Sequence, residues 1–371
     1  MKQNSGKKTR FIAYTLLGIL LGVFLTYGIV YKFPKIFQET ITKIEKDVTV
    51  TDEGIADAVE KVYDSVVVIT TLKGENPIAS GSGFIYKINN KTSYIITNYH
   101  VIADGNSFKV TYVDGEIVDA KLLGGDQYSD IAVLSVNTKE NIKTVEIGKT
   151  ENLRVGDTTF TVGAPLDDNV YSWTVTRGII SGKERLVEVS LSNAYGTDYV
   201  MNVLQTDAAV NRGNSGGPLC NSNGDVIGVI NAKISSTGVE GMGFAIPIEI
   251  AIEKAEQIIN GSSSEYPYLG ISMLSVSDVS SYPQFYRFIN GTKITSGVMV
   301  IDVEKNSSAA SAKLQTGDVI IKINNKDVSN VAFLRYELYK YKVGDKIEIT
   351  YIRNGKENKT TMKLSSKLQT S

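Results

Sequence analysis

From Ser65 to about Pro247 the chain is a succession of short β-branched and aromatic runs separated by Gly, Asn and Asp, and this punctuation constrains the fold more than any other feature. The runs include SVVVITTL (65–72), SGFIYKI (82–88), SYIIT (93–97), FKVTYV (108–113), IAVLSV (131–136), TTFTVG (158–163) and DVIGVINA (225–232). Many short strands with turn residues between them predict a β-barrel or sandwich pair. Helical spacing flanks this region. Ile55, Val59 and Val62 predict a short amphipathic helix over 53–64, and Ile248, Ala251, Ile252, Ala255 and Ile259 predict one over 248–259. Gly261 stops the second helix, and Ser262, Ser263 and Ser264 form a flexible joint. A second unit follows, with strands near 269–274, 297–303, 318–323 and 346–353 and a helix through FLRYELYKY (333–341).

The N-terminus carries a different signal. Residues 11–31 (FIAYTLLGILLGVFLTYGIVY) contain no charge, and as a helix they would extend about 31 Å, enough to cross a hydrocarbon core. Lys2, Lys7, Lys8 and Arg10 precede the run and no acid does, so the arm 1–10 is expected to stay cytoplasmic. A cleaved signal peptide is the competing reading, but its apolar region is usually about 7–15 residues and ends in small residues. Tyr31-Lys32-Phe33-Pro34 supplies no such site. A buried core helix of the same composition is the remaining alternative, disfavoured by the absence of any polar face. The expectation is therefore an uncleaved transmembrane signal anchor over 11–31, a polar stalk over 32–52, and the bulk of the chain on the extracellular face of the cell membrane.

Composition limits the chemistry. The net charge is −1, and without the basic arm it is −5, which offers no footprint for nucleic acid. One Cys forbids an intramolecular disulfide, and one His with one Cys excludes the usual zinc sites. No metal and no cofactor is expected. Any imidazole chemistry must use His100.

The stretch Asn211-Arg212-Gly213-Asn214-Ser215-Gly216-Gly217-Pro218 holds the most information. A serine hydroxyl needs a base to take its proton and donors for the developing oxyanion. Glycines around Ser215 allow a tight turn that can aim the Gly213 and Ser215 N–H groups at one spot. By itself such an octapeptide is equally a hairpin turn. His100 follows an apolar strand, where a lone His is commonly structural. Asp130 opens the apolar strand IAVLSV; a carboxylate there can bond the imidazole Nδ1–H and fix the tautomer. Asp104, Asp114, Asp126 and Asp207 are rivals, but none leads directly into such a strand. The chain order His100, Asp130, Ser215 is that of chymotrypsin-type double barrels, and the nucleophile-elbow pattern G-x-S-x-G is absent at Ser215.

With these segments in hand, the sequence resembles the HtrA family of membrane-tethered or secreted serine endoproteases. The resemblance spans about 53–364 and rests on TNYHV (97–101), SDIAVL (129–134), QTDAAVNRGNSGGPL (205–219), GMGFAIP (241–247) and a following PDZ-like unit. It implies a mainly β fold: a chymotrypsin-like double β-barrel (53–261), a linker (262–265), a PDZ-like α+β domain (266–364) and a tail (365–371). It implies Ser215 as nucleophile, His100 as general base, Asp130 as orienting acid, and Gly213 and Ser215 as oxyanion donors. Segments 166–178 and 191–198 would be regulatory loops. Residues 230–240, Ile230, Asn231 and Ala232 among them, would border an apolar pocket for small to medium aliphatic side chains. Cys220 is expected to be a small apolar strand residue rather than a reactive thiol.

Tyr268-Leu269-Gly270-Ile271 and Leu314-Gln315-Thr316-Gly317-Asp318-Val319-Ile320 carry the PDZ resemblance. The first would be the carboxylate-binding loop for C-terminal peptides, which add to a sheet edge as a strand. The same glycines could simply make turns. Segment 278–296 is aromatic-rich, and 306–312 is a looser version of the family's turn. The family likeness further implies cleavage of unfolded or damaged extracytoplasmic proteins, a role in stress response and protein quality control, a homotrimer, and an Arg212-Gly213 turn disordered or flipped without substrate. The competing function is a membrane-held peptide-binding scaffold with a silent barrel; an esterase of another fold is disfavoured by the residue order.

Overall fold

A computed structural model describes residues 5–32, 52–163, 173–190, 199–235, 241–262 and 265–366. The expected stalk, most of the loop 166–178, the loop 191–198, the end of 230–240 and the end of the tail lie outside the described residues. The helices are α1 (Ser5–Lys32), α2 (Asp52–Tyr63), α3 (Tyr99–Ile102), α4 (Ala232–Ser235), α5 (Ile248–Ile259), α6 (Pro283–Tyr286), α7 (Ser308–Ser311) and α8 (Val331–Leu338).

Helix α1 is 28 residues long and contains the apolar run. Leu17, Leu20, Leu21 and Phe24 on it are exposed. Among the described residues no helix is long and apolar enough to cross a membrane, so the expected transmembrane span is not supported there.

The central region folds as two closed barrels. In the first, β1 (Val66–Lys73), β2 (Asn76–Asn89), β3 (Thr92–Thr97), β4 (Ser107–Thr111), β5 (Ile117–Asp126) and β6 (Ile131–Asn137) close in the order β1-β2-β3-β6-β5-β4. In the second, β7 (Thr158–Gly163), β8 (Thr174–Val189), β9 (Tyr199–Thr206), β10 (Pro218–Asn221), β11 (Val226–Ile230) and β12 (Gly243–Pro247) close in the order β10-β11-β12-β9-β8-β7. Closure removes the free edges that isolated sheets expose. Val67, Ile69, Ile85, Ile95, Val110 and Leu134 fill the first core, and Ile180, Leu204, Leu219, Ile227 and Ile230 the second. Helix α5 occupies the segment its periodicity predicts and buries Ile248, Ala251 and Ala255.

The third sheet runs β13 (Ile271–Ser275), β14 (Val298–Val303), β15 (Val319–Ile323), β17 (Lys346–Arg353), β18 (Lys356–Lys363), with β16 (Lys326–Asp327) pairing β15. Helix α8 begins two residues earlier than its apolar spacing predicts, because the Asn330 side chain accepts the Phe333 N–H at 3.0 Å and caps it. The aromatic-rich segment 278–296 takes part in the packing. Phe285, Phe288, Ile289 and Ile294 pack on Val276, Val279, Met299 and Val319 as a small second core beside the main one.

Candidate active site

The site lies where the two barrels meet, and strand β2 of the first barrel holds the serine turn of the second. The Ser82 N–H donates to the Ser215 carbonyl at 2.8 Å, and the Ser82 hydroxyl donates to the Gly213 carbonyl at 2.7 Å. The Thr97 hydroxyl, at the end of β3, in turn donates to the Ser82 carbonyl at 2.7 Å. Within the turn, Asn214 N–H donates to Asn211 at 3.0 Å, and Gly216 N–H donates to Ile230 at 2.9 Å. Gly213 and Gly216 have φ values of +101° and +85°, the left-handed region in which glycine carries no steric penalty.

His100 sits on the single-turn helix α3, immediately after β3. Asp130 stands at the entry to β6, which pairs with β3 in the register Thr97↔Ala132. That pairing brings residues 100 and 130 together. His100 Nδ1 and Asp130 Oδ2 are 2.6 Å apart, and the His100 backbone N–H donates to Asp130 Oδ1 at 2.9 Å. The Asp130 carbonyl accepts from Tyr99 N–H at 3.1 Å and from the Asn98 side chain at 3.0 Å. Asp130 is buried, whereas the His100 side chain retains 24% exposure. A buried carboxylate without partners would be costly; here both oxygens are occupied. Bonding Nδ1–H to Asp130 leaves Nε2 as the free acceptor of the imidazole.

Ser215 is also buried, and its Oγ accepts the Ala232 N–H at 3.1 Å. Among the described residues no hydrogen bond joins Ser215 to His100. The two halves of the site are linked instead through Asn231. Its Nδ2 donates to Asp130 Oδ2 at 2.8 Å, while its Oδ1 accepts the Ile234 N–H at 3.3 Å and caps α4. A hydroxyl has two acceptor positions and one donor, so accepting from Ala232 leaves the Ser215 proton available to a base. Among the described residues, neither the Gly213 nor the Ser215 N–H donates to a protein acceptor.

Of the three residues placed by sequence at the pocket border, Ile230 packs in the barrel core, Asn231 reaches Asp130, and Ala232 reaches Ser215. The contacts of Ser82, Asn98 and Asn231 were not legible in the sequence as site contacts. Asn231 lies 101 positions from Asp130, and no local pattern marks the pair.

In the third sheet's unit, Gly270 has φ +76°, and a Cβ there would fall 2.1 Å from Ser307 Cβ. Its carbonyl accepts from Glu304 N–H and that of Leu269 from Ala309 N–H, each at 2.9 Å. The Tyr268 hydroxyl bonds Glu304, and burial together with that bond pushes its pKa up to about 12.

Comparison with known proteins gives the family. A trypsin-like peptidase domain profile matches residues 81–229, and a PDZ domain profile matches 267–364. The chain is 38% identical over 331 residues to the serine protease Do-like HtrA of Bacillus subtilis strain 168, covering 84% of this chain and 73% of that protein. The chain belongs to the HtrA family. It is 39% identical over 334 residues to the serine protease Do-like HtrB of the same organism, covering 86% and 72%. Among solved structures, the HtrA-type protease AlgW with decapeptide superposes with a TM-score of 0.64 at 28% identity, over 85% of this chain and 99% of that one. The serine endoprotease from Yersinia pestis gives 0.63 at 28% identity, over 87% and 100%. As an HtrA-family member with a trypsin-like domain, the protein is a serine endopeptidase carrying one PDZ domain.

Proposed function

We propose that this HtrA-family peptidase works through His100, Asp130 and Ser215. The 2.6 Å contact between His100 Nδ1 and the buried Asp130 carboxylate carries this reading. The Ser215 Oγ attacks the substrate carbonyl while His100 Nε2 takes its proton, and Asp130 holds the tautomer and stabilises the imidazolium. The Gly213 and Ser215 N–H groups receive the oxyanion. His100 then protonates the leaving amine, and water hydrolyses the acyl-enzyme by the reverse sequence.

The substrates are unfolded or damaged extracytoplasmic proteins, and the Tyr268–Ile271 loop of the PDZ domain takes peptide C-termini through backbone N–H groups other than that of Tyr268, which donates to the Ser365 carbonyl at 2.8 Å. Helix α1 is a signal anchor with its basic arm cytoplasmic; the uncharged 21-residue run and the exposed apolar side chains along it support this placement. The protomers associate as a homotrimer, as the family likeness implies.

Labelling with a fluorophosphonate and mapping the adduct tests the mechanism. The adduct is expected on Ser215, and Ser215→Ala is expected to lose casein cleavage by several orders of magnitude with the fold intact. Equal turnover by Ser215→Ala overturns the assignment. Retention of the full chain in membranes after alkaline carbonate extraction, and its release when residues 1–31 are removed, checks the anchor. A monomeric mass by light scattering for residues 53–371 contradicts the trimer.

A further inference from the structure

Asp130 adopts φ +53°, a left-handed value uncommon for a residue with a side chain. Such a conformation persists only where neighbours hold it. On one side the Asp130 carbonyl is fixed by Tyr99 and Asn98, as described. On the other side lies the turn Asp126-Gln127-Tyr128-Ser129, which joins β5 to β6. Asp126 is buried, and its Oδ1 accepts both the Tyr128 N–H at 2.9 Å and the Ser129 N–H at 3.0 Å. One carboxylate oxygen therefore sets the path of the two residues that precede Asp130.

The other oxygen reaches outside the barrel. Asp126 Oδ2 accepts the Tyr266 hydroxyl at 2.6 Å, and Lys254 Nζ from α5 lies 3.6 Å from the same oxygen. Tyr266 belongs to the segment that connects the peptidase barrels to the PDZ sheet. Its ring packs on Tyr128 with centroids 4.9 Å apart, and Tyr339, at the end of α8 in the PDZ domain, packs on both rings at 5.0 and 4.3 Å. Lys254 stands 4.9 Å over the Tyr266 ring. Cavities of about 520 Å³ and about 190 Å³ each take Tyr128 and Tyr266 as part of their walls. The ring pair is thus not packed on every side, and the hydrogen bond to Asp126 fixes where Tyr266 sits. Burial, and then the Asp126 charge, raise the Tyr266 hydroxyl well above the ordinary tyrosine range, so it stays a donor.

We infer that Asp126 is a positioning residue for Asp130, and that Tyr266 in the interdomain segment holds the Asp126 carboxylate in the orientation this requires. The inference rests on Asp130 being the orienting acid of the reaction. It gives the segment before the PDZ domain a direct mechanical connection, through four chain positions, to the group that aligns the catalytic imidazole.

The full chain is the sample, with the second-order rate of fluorophosphonate labelling measured per reactive site, and kcat and KM measured on a peptide substrate. Asp126→Ala removes the turn acceptor and is expected to slow labelling roughly tenfold or more, with KM unchanged, because small misplacements of catalytic groups are expensive in rate. Asp126→Asn keeps an oxygen for Tyr128 and Ser129 and is expected to remain within about threefold of the parent. Tyr266→Phe removes one hydroxyl and is expected to slow labelling about threefold to tenfold. In Asp126→Ala, addition of Tyr266→Phe is expected to cost nothing further, since both act through one bond. Should Asp126→Ala fail to fold, Tyr266→Phe and Asp126→Asn still decide the matter. Parent-like rates in Tyr266→Phe, a deficit in Asp126→Asn as large as in Asp126→Ala, or a loss that lowers the number of reactive sites without changing their rate overturns the inference. Labelling that persists in Ser215→Ala overturns the mechanism on which it rests instead.

Discussion

The Asn231 side chain donates to Asp130 Oδ2 at 2.8 Å, sharing that oxygen with His100 Nδ1, so one carboxylate oxygen is held by both barrels. The same asparagine caps α4, whose first N–H contacts Ser215. Asn231→Ala is expected to lower kcat about tenfold to a hundredfold, since the acid and the serine turn lose their shared support. Asn231→Asp keeps the cap but sets a second carboxylate against the first, and is expected to be the less active of the two. Steady-state kinetics beside thermal melting separates loss of alignment from loss of fold.

Gly216 is the residue on which the serine turn depends sterically. A Cβ at this position would fall 2.2 Å from the Ser82 carbonyl and 2.3 Å from Thr97 Oγ1, in a backbone at φ +85°. Gly216→Ala must therefore push β2 and β3 away from the turn, and is expected to cost about 3 kcal/mol or more in urea unfolding. Gly115 has the same φ with open space around it, so Gly115→Ala is expected to cost only about 1 kcal/mol. Similar losses at the two positions would contradict this account.

The comparison of these positions with the sequence shows what a linear pattern can carry. IAVLSV reads as a buried strand because its apolar residues are contiguous, and the acid in front of it is thereby marked for burial; Asp130 is found there. Three of the four rival acids resolve into separate tasks that the sequence does not distinguish. Asp114 pairs with Lys139, Asp207 accepts the Ile179 N–H, and Asp126 organises the turn before Asp130. Strand β18, KENKTTMK, has too few apolar residues to show an alternation, and forms because β17 offers it eight paired positions. Strand β8 is interrupted by register shifts at Ile180/Gly182 and Gly182/Arg185, which break its period of two. Long-range hydrogen bonds such as Asn231 to Asp130 depend on the closure of two barrels, and local sequence holds no trace of them.

Cys220 lies on β10 and is fully buried among the residues of the second barrel. Burial, and then the Asp225 charge, raise its thiol far above the ordinary range. Raising the pH past about 8.5 ionises an exposed thiol, but the folded protein is expected to keep Cys220 protonated and unalkylated there. Iodoacetamide at pH 9 is expected to modify the chain only after denaturant is added. Rapid modification of the native protein would place this cysteine in a reactive role.

The PDZ domain has its own ion pair, between the buried Asp318 and the partly exposed Arg353, and it explains why an acid follows Gly317. Arg353 donates through Nε and Nη2 to the two oxygens of Asp318, each at 2.6 Å, and Nη2 also donates to the Lys313 carbonyl at 2.9 Å. Asp318 is 1% exposed and Arg353 closes the turn that precedes β15 from the end of β17. Arg353→Ala leaves a buried carboxylate without its cation and is expected to destabilise the PDZ unit by about 3 kcal/mol. Asp318→Asn retains an acceptor for Gln315 N–H and is expected to cost less. Calorimetry of the full chain should show the transition that unfolds the PDZ sheet move down in Arg353→Ala, with fluorophosphonate labelling of Ser215 unchanged at temperatures where both domains are folded. A labelling loss under those conditions would mean that the domain's internal stability also reaches the site.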